Sequence, residues 1–337
     1  MARLRRTDCS APGIARRRRG HSFAYRDPSG RVVRDPETLQ RIAELAIPPA
    51  WREVWICEDP LGHLQATGFD AAGRKQYQYH ERWRAHRDRL KFESMTAFGG
   101  ALPRLRRRVR RDLDAEGAAL SRQRVLACSV RLLDLGFFRI GSESYAERNE
   151  SYGLTTMLKR HVSIEDDEVI FDFPAKSGRR RVQAIADPAA LEVIRALKQR
   201  RGGTQLLAHR DGAAWTNIRA EDVNSYIKEA SGDGFTAKDF RTWNATVLAA
   251  VALAQMEAGT KSATARKRAV SSAVKIVAAY LGNTPAVCRA SYIDPRVIDL
   301  YNSGNTIAPS LMRMANGADL ADSRTRRRVE AAVLALL

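Results

Sequence analysis

The feature that most constrains the fold is a change in hydrophobic spacing near residue 81. Before this point, short apolar and aromatic segments alternate with turns rich in Asp, Pro and Gly, which is typical of antiparallel strands. After it, apolar residues recur every three to four positions, which is typical of helices. We therefore predict an α+β protein. A small β-rich domain of about five antiparallel strands is expected over residues 21–91, and a larger, mostly α-helical domain over residues 92–337.

The β-rich domain is predicted to contain one helix, which begins at Pro36 with Asp35 as its N-cap. The five strands are expected at residues 22–26, 31–34, 54–58, 63–69 and 74–80. Residues 1–20 end in the run Arg16–Arg19. Because a run of like charges is usually solvated, we interpret this segment as a basic tail that is mobile until it meets phosphates.

The helical domain has recognisable helix ends. Ser121 is predicted to cap a helix that ends at Gly136, and the capping box Thr236–Asp239 is predicted to open an apolar helix that continues to about Gln255. The segment Phe98-Gly99-Gly100 is interpreted as a hinge between the two domains. A small three-stranded sheet is expected at residues 162–164, 169–173 and 179–185.

The charge of the chain indicates its partner. It carries 57 Lys and Arg residues against 38 Asp and Glu residues, a net charge of +19. Such an excess favours a polyanionic partner, so we predict nucleic-acid binding rather than a generically basic surface. The four cysteines lie too far apart for a zinc ribbon or a disulfide scaffold, which fits a reducing compartment.

Two observations concern location and cofactors. No run reaches the roughly 18 apolar residues of a membrane span, and no secretory signal is recognisable, so we expect a soluble cytoplasmic protein associated with the nucleoid. The sequence also has no P-loop, no GxGxxG segment after a predicted strand and no HExxH. We therefore expect an activity that needs no ATP, no cofactor and no obvious protein-bound metal.

Three basic residues stand where packing alone does not demand them. Arg139 follows a predicted helix, where the structural alternative is to neutralise the last carbonyls of that helix. Lys176 lies at a turn tip before three arginines. It is either a solvated turn residue or, in a chain with 47 Arg and 10 Lys, a lysine retained because it can release a proton. Arg241 lies near a helix start, where its charge opposes the dipole, so we expect a phosphate seat there.

A tyrosine and an asparagine complete the candidate site. A helix is predicted to start at Thr284-Pro285 and to end at Asp294-Pro295. Tyr292 lies about two turns along it, and its side chain leans back toward Asn283. The alternative is a packed tyrosine with its hydroxyl hydrogen-bonded. As a nucleophile, Tyr292 could attack a phosphodiester while Asn283 donates a hydrogen bond to a phosphate oxygen.

Taken in this order, Arg139, Lys176, Arg241, Asn283 and Tyr292 resemble the catalytic pentad of the type IB DNA topoisomerases, specifically the small bacterial and poxvirus enzymes. The resemblance covers most of the chain. It implies relaxation of supercoiled DNA by single-strand cleavage and religation through a 3′-phosphotyrosyl intermediate on Tyr292, without ATP or an obligatory metal. In that chemistry Arg139 and Arg241 neutralise the phosphate and Lys176 protonates the leaving oxygen. Asn283 stands where most of the family has His.

The segment Gly73–His80 looks like the DNA-contacting strand of the same family. Tyr77 and Tyr79 share one face of this strand and Gln76 points to the other. A strand in the major groove could use Gln on a base edge and Tyr hydroxyls on bases or phosphates, whereas the alternative is a half-buried aromatic face. Further DNA contacts are expected for Tyr145 and Lys238. The expected partner is double-stranded DNA, clamped by a monomer.

Two other function classes remain open on the sequence. A tyrosine recombinase uses similar chemistry, but its usual HxxR would be Lys238-x-x-Arg241 here, and its N-terminal half is helical rather than β-rich. A DNA-architectural protein without activity would account for the charge, but not for a tyrosine combined with three cations.

Overall fold

The computed structural model describes residues 3–115, 120–212, 214–232, 234–256, 262–314 and 320–337. The predicted α+β class is confirmed: a five-stranded antiparallel sheet precedes a mostly helical region that holds a small three-stranded sheet. The chain divides into two compact units, the first ending at Glu93 and the second beginning at Ser94.

The first unit is built on one antiparallel sheet. Its strands are β1 (Ile14–Arg19), β2 (Ser22–Arg26), β3 (Arg52–Ile56), β4 (Leu64–Phe69) and β5 (Lys75–Tyr79). They are ordered β2-β1-β3-β4-β5. Helix α1 (Pro36–Glu44) begins at Asp35, whose carboxylate accepts a hydrogen bond from the Thr38 amide at 2.8 Å. The sheet and this helix bury a common core of Ile14, Ile42, Val54, Ile56 and Ala66.

The first unit differs from the expectation in which segments form its strands. The basic segment is a strand and not a mobile tail, because Ile14 is buried in the core and Gly20 takes a φ of 59° that allows a tight turn into β2. Arg16 then donates hydrogen bonds to three main-chain carbonyls. The segment around Val32, expected to be a strand, forms an isolated bridge to the end of β2.

The second unit is mostly helical. Helix α2 (Glu81–Asp114) begins before the unit boundary and continues beyond it. The later helices are α3 (Arg122–Gly136), α4 (Glu143–Asn149), α5 (Pro188–Gln199), α6 (Ala220–Ser231), α7 (Ala237–Gln255), α8 (Ala263–Leu281), α9 (Pro285–Ser291), α10 (Pro295–Asn302), α11 (Ala308–Met312) and α12 (Ser323–Leu336). The predicted three-stranded sheet is confirmed, in the order β6 (Val162–Glu165), β7 (Glu168–Pro174), β8 (Arg180–Ile185). An additional hairpin pairs β9 (Ala208–Asp211) with β10 (Ala214–Asn217).

The hinge expected at Phe98-Gly99-Gly100 is wrong, because these residues lie inside the continuous helix α2. Phe98 is fully buried. A Cβ added at Gly99 would lie 2.5 Å from Cη2 of Trp243 and 2.9 Å from Leu334, so the glycine allows close packing against these side chains. Gly99 therefore serves helix packing rather than motion.

The ends of three helices position the candidate site. Both α3 and α8 terminate in left-handed residues, Phe137 with a φ of 55° and Gly282 with a φ of 62°. Helix α9 begins at its N-cap Thr284 and ends at Tyr292. Asp294 is the N-cap of α10, so it starts a new helix as well as following the end of the previous one. Tyr292 thus lies in a short connection between two helices.

Candidate active site

Arg241 is the most buried charged group of the site, with 3% of its surface exposed. It lies in the second turn of α7, whose start is fixed by a capping box in which the Thr236 amide donates to the Asp239 carboxylate at 2.7 Å. Its guanidinium donates to the carbonyl of Phe137 and, at 2.9 Å, to that of Leu281. These carbonyls lie at the C-terminal ends of α3 and α8, where the helix dipole favours a cation.

A second arginine, which is half-buried, bonds to the same two helix ends. Arg181, on β8, donates to the carbonyl of Gly136 at 3.2 Å and to that of Tyr280 at 2.9 Å. Gln183, two residues along the same strand, accepts a further hydrogen bond at 3.0 Å. Arg181 and Arg241 therefore occupy neighbouring positions at the ends of α3 and α8.

Sequence reasoning missed Arg181, which it counted only as one of the three arginines after Lys176. The period-2 alternation of β8 could have identified it. Arg180 is exposed and pairs with Asp172 at 2.5 Å, so the next residue along the strand turns to the other face.

Arg139 bonds to the segment that follows α8. Its guanidinium donates to the side-chain oxygen of Asn283 and, at 3.5 Å, to the carbonyl of Gly282. Neither hydrogen bond goes to a carbonyl of α3, so they do not support the alternative in which Arg139 neutralises the end of that helix. Since Arg139 uses the Asn283 oxygen, the Asn283 amide nitrogen remains available as a donor.

The cluster contains donors without acceptors. Within the described ranges, the Nε atoms of Arg181 and Arg241 and the Nδ2 atom of Asn283 are buried and have no hydrogen-bond partner. A buried polar group left unpaired costs about 1–3 kcal/mol, and most such groups in proteins are paired. No described carboxylate forms an ion pair with Arg139, Arg181 or Arg241, although ion pairs are frequent elsewhere in the unit. These unpaired donors suit an anion with several acceptor oxygens.

The pKa values of the arginines reflect the same crowding of positive charge. Burial lowers the pKa of Arg241 to about 10, and repulsion from Arg139 adds to this effect. Burial likewise lowers the pKa of Arg181 to about 10, with repulsion from Arg241 and Arg139. Both groups stay charged at neutral pH. An anion bound between them would relieve the repulsion, so the electrostatics of the site favour a phosphate.

Tyr292 lies directly beside Arg241. The Arg241 Cζ atom is 5.2 Å from the centroid of the Tyr292 ring. Burial alone would raise the pKa of Tyr292. The positive charge and a hydrogen bond of Arg241 outweigh burial, with contributions from Arg139 and Lys238, and hold the pKa below the ordinary value of 10. A phenol whose pKa is lowered by adjacent cations is an activated nucleophile.

Lys176 lies at the tip of the turn between β7 and β8 and is exposed. The turn is closed by a hydrogen bond from the Ala175 amide to the Arg179 carbonyl at 2.8 Å. A pocket of about 480 Å³ is lined by Lys176 together with Arg139 and Arg181. The structure thus brings Arg139 into contact with Asn283 and Arg241 into contact with Tyr292, and Lys176 lines the same pocket as Arg139.

Lys238 and Tyr145, the two DNA contacts predicted in this unit, differ in exposure and in their neighbours. Lys238 is exposed in the first turn of α7, and its charge contributes to the lowered pKa of Tyr292. Tyr145 is half-buried on α4, where its main-chain carbonyl accepts a hydrogen bond from the Asn149 side chain at 3.0 Å. Lys238 is therefore close enough to Tyr292 for its charge to act on the phenol.

The first unit presents an aromatic strand face. On β5, 48% of Tyr77 and 39% of Tyr79 is exposed, and their rings stack with centroids 6.4 Å apart. Gln76 precedes Tyr77 on the other face of the strand and donates to the Asp70 carboxylate at 2.9 Å. The tyrosines are thus exposed side chains rather than half-buried packing residues.

Two further properties concern the described part of the chain. It contains no group of three or more His, Cys, Asp or Glu side chains that could hold a metal, and the cysteines Cys9, Cys57, Cys128 and Cys288 are free thiols. Among its helices, none has the length and apolar character needed to cross a membrane.

Comparison with known proteins gives matches over most of the chain. Residues 80–308 match the family described as eukaryotic DNA topoisomerase I, catalytic core, and residues 22–70 match bacterial DNA topoisomerase IB, N-terminal domain. The chain is 31% identical to the DNA topoisomerase 1B of Acanthamoeba polyphaga mimivirus over 297 residues, which cover 86% of this chain and 88% of that protein. It is 22% identical to the DNA topoisomerase 1B of vaccinia virus (strain Copenhagen) over 263 residues, 76% and 77% of the two chains.

The two-unit fold, the net positive charge and the cluster of arginines with unpaired donors define an enzyme that acts on nucleic acid. The chain belongs to the type IB DNA topoisomerase family. It is therefore an isomerase that binds DNA. The family resemblance predicted from the sequence is confirmed, and the bacterial topoisomerase match of the β-rich unit disfavours the recombinase alternative.

Proposed function

We propose that this enzyme relaxes supercoiled double-stranded DNA by cutting one strand through Tyr292, letting the duplex rotate and rejoining the strand. The observation that carries the proposal is the position of the Tyr292 phenol beside Arg241, in a cluster of three arginines that no described carboxylate neutralises. Such a cluster has donors and charge for a phosphodiester, and its tyrosine has a lowered pKa.

In the cleavage step the Tyr292 oxygen attacks phosphorus and loses its proton to solvent. A new P–O bond to tyrosine forms, the P–O5′ bond breaks, and the product is a 3′-phosphotyrosyl link with a free 5′ hydroxyl. Negative charge builds on the nonbridging oxygens in the transition state. Arg139 and Arg241 stabilise this charge through charge-assisted hydrogen bonds, and the free Nδ2 of Asn283 adds a neutral donor.

The leaving 5′ oxygen needs a proton, and Lys176 is the proposed general acid. A lysine ammonium can transfer its proton, whereas the arginines of the cluster stay charged at neutral pH. Lys176 fits this role because its ammonium group is exposed at a hairpin tip and lines the same pocket as Arg139. Rejoining follows the same path in reverse, with the 5′ hydroxyl attacking the phosphotyrosine.

Each step exchanges one phosphodiester for another. Because the energy of the broken bond is retained in the phosphotyrosine, we propose that relaxation proceeds without ATP and without an obligatory metal. The proposed DNA contacts are Gln76, Tyr77 and Tyr79 on β5, Tyr145 on α4 and Lys238 on α7. We further propose that the protein acts as a monomer on DNA in the nucleoid.

A denaturant trap tests this proposal. The enzyme is mixed with supercoiled plasmid, quenched with a denaturing detergent, and scored for covalent adduct and for relaxation. Wild type should give both, and Tyr292→Phe should bind DNA but give neither. Tyr301→Phe is the matched control, because the buried Tyr301 hydroxyl has no described partner and lies on α10 outside the cluster. Adduct formation by Tyr292→Phe would overturn the assignment of the nucleophile, and recombination between paired sites instead of relaxation would overturn the proposed reaction.

A further inference from the structure

Arg181 is a half-buried cation with a fully buried Nε atom, and the proposed chemistry assigns it no step. Its guanidinium bonds to the main chain at two helix ends, the Gly136 carbonyl at 3.2 Å and the Tyr280 carbonyl at 2.9 Å. A charged side chain that is buried without a carboxylate partner is expensive, since burial disfavours its charged form. Such a residue calls for a function that an apolar side chain of similar size would not supply.

The position of Arg181 on the hairpin indicates that function. In the register of the three-stranded sheet, Arg181 pairs with Phe173 and the next pair toward the tip is Pro174 with Arg180. Beyond these pairs only the turn that carries Lys176 remains. Within the described residues, the Lys176 ammonium has no hydrogen bond or ion pair, so the main chain of the hairpin determines where it lies.

One acceptor of Arg181 lies close in sequence to Asn283, a residue of the proposed site. The Tyr280 carbonyl is two residues before Gly282 and three before Asn283, which bonds to Arg139. A Cβ added at Gly282 would lie 3.0 Å from Nη1 of Arg181, so the arginine packs directly against the chain that positions Asn283. Arg181 therefore connects the strand below Lys176 to the segment that holds Asn283.

We propose that Arg181 is a positioning residue, which fixes the β7–β8 hairpin against the C-terminal ends of α3 and α8 so that Lys176 reaches the leaving 5′ oxygen. This inference rests on the proposed function of Lys176 as general acid. It differs from a direct role in phosphate binding, in which Arg181 would stabilise the nonbridging oxygens, and from a purely structural role in the sheet.

Two substrates separate these roles. One carries the normal 5′ oxygen at the cleavage site, and the other carries sulfur in its place, which leaves as a thiolate and needs no proton. Arg181→Met keeps the length of the side chain and removes both main-chain hydrogen bonds. Arg181→Lys keeps the charge but lacks the planar guanidinium, whose Nη2 atom donates to both carbonyls, and it is measured if the methionine variant does not fold. Arg180→Met is the matched control, since the exposed Arg180 bonds to Asp172 on the same hairpin.

The measurement is the rate of adduct formation in a single turnover. A small displacement of a catalytic group can slow a reaction about 10²-fold, so Arg181→Met should cleave the oxygen substrate roughly 10²-fold more slowly than wild type. It should cleave the sulfur substrate at close to the wild-type rate. Arg181→Lys should show the same pattern to a smaller degree, and Arg180→Met should match wild type on both substrates.

Equal slowing of Arg181→Met on the two substrates would overturn the inference in favour of direct phosphate binding, and wild-type rates on both would overturn it in favour of a structural role. The proposed function has its own readouts in the same experiment. If wild type forms no adduct, or if sulfur does not rescue Lys176→Arg, the proposed chemistry fails and the inference fails with it. If both behave as expected and Arg181→Met is not rescued, the inference alone fails.

Discussion

The substitution Arg241→Lys tests whether the cluster works through the shape of the guanidinium or through its charge. Arg241 is 3% exposed and uses two nitrogens for two carbonyls, those of Phe137 and Leu281, while a third, Nε, is buried and unpaired. A lysine keeps the positive charge, but its single ammonium cannot reach both carbonyls and a phosphate oxygen together. The substitution therefore removes donors while preserving the net charge.

The expected magnitudes follow from these contacts. One buried carbonyl left without its donor costs about 1–3 kcal/mol of unfolding free energy. At about 2–4 °C per kcal/mol for a unit of this size, Tm should fall by roughly 2–12 °C. Loss of one transition-state donor typically slows catalysis about 10²–10³-fold, so cleavage should slow by that factor. Because Arg241 is proposed to act on the phosphate and not on the leaving group, the slowing should be the same for the oxygen and sulfur substrates.

Thermal melts followed by circular dichroism and single-turnover adduct formation give the two quantities. Arg180→Lys, at an exposed residue of the same unit, is the matched control and should change neither. A variant that folds and forms adduct at close to the wild-type rate would refute the argument, because one ammonium would then suffice for what is attributed to the fork of the guanidinium. Slowing that sulfur rescues would also refute it, since the effect would then concern the leaving group.

Three further outcomes are expected. Lys238→Gln removes a charge that lowers the pKa of Tyr292, so the rise of cleavage rate with pH, measured at saturating DNA, should move to higher pH; an unchanged profile would contradict the electrostatic account. Burial alone would raise the pKa of Asp134, but its arginine partners outweigh burial and lower the pKa far below 3.8. This carboxylate therefore stabilises the fold above pH 3.8, and its contribution is lost as the pH falls through the pKa of the folded state. Asp134→Asn should therefore cost about 3–5 kcal/mol at pH 7 and progressively less in acid, as denaturant melts would report. Gly99→Ala places a Cβ 2.5 Å from Trp243 and should cost about 1–3 kcal/mol, whereas a hinge glycine would tolerate the change.

Much of the fold could be predicted from local sequence patterns. The helix from Arg122 to Gly136 and the helix from Ala237 to Gln255 carry their own caps, so their ends were predictable. The strand Ile14–Arg19 was not, because its four arginines resemble a solvated run while its single buried anchor, Ile14, precedes them. The continuity of α2 was equally hidden, since a glycine pair has the same sequence whether it bends or packs closely.

The candidate site, too, could be predicted from the sequence only in part. The residue types of Arg139, Arg241 and Tyr292 were recognisable in their segments, but the acceptors that hold the arginines were not. Those of Arg241 are main-chain carbonyls at the ends of α3 and α8, which every helix possesses and which no side chain marks in the sequence. The role of Arg181 depends on which two helices end beside its strand, and this is a property of the tertiary structure.

Mass spectrometry of the trapped adduct tests the central claim most directly. The enzyme would be mixed with DNA in EDTA without nucleotide, denatured, and digested with nuclease and protease. The digest would be searched for a peptide that carries a nucleotide linked through its phosphate. The account predicts one modified peptide, with the modification on Tyr292 and a 3′ linkage to the DNA. A modification on another residue, a 5′ linkage, or adduct that forms only when magnesium or ATP is supplied would contradict it.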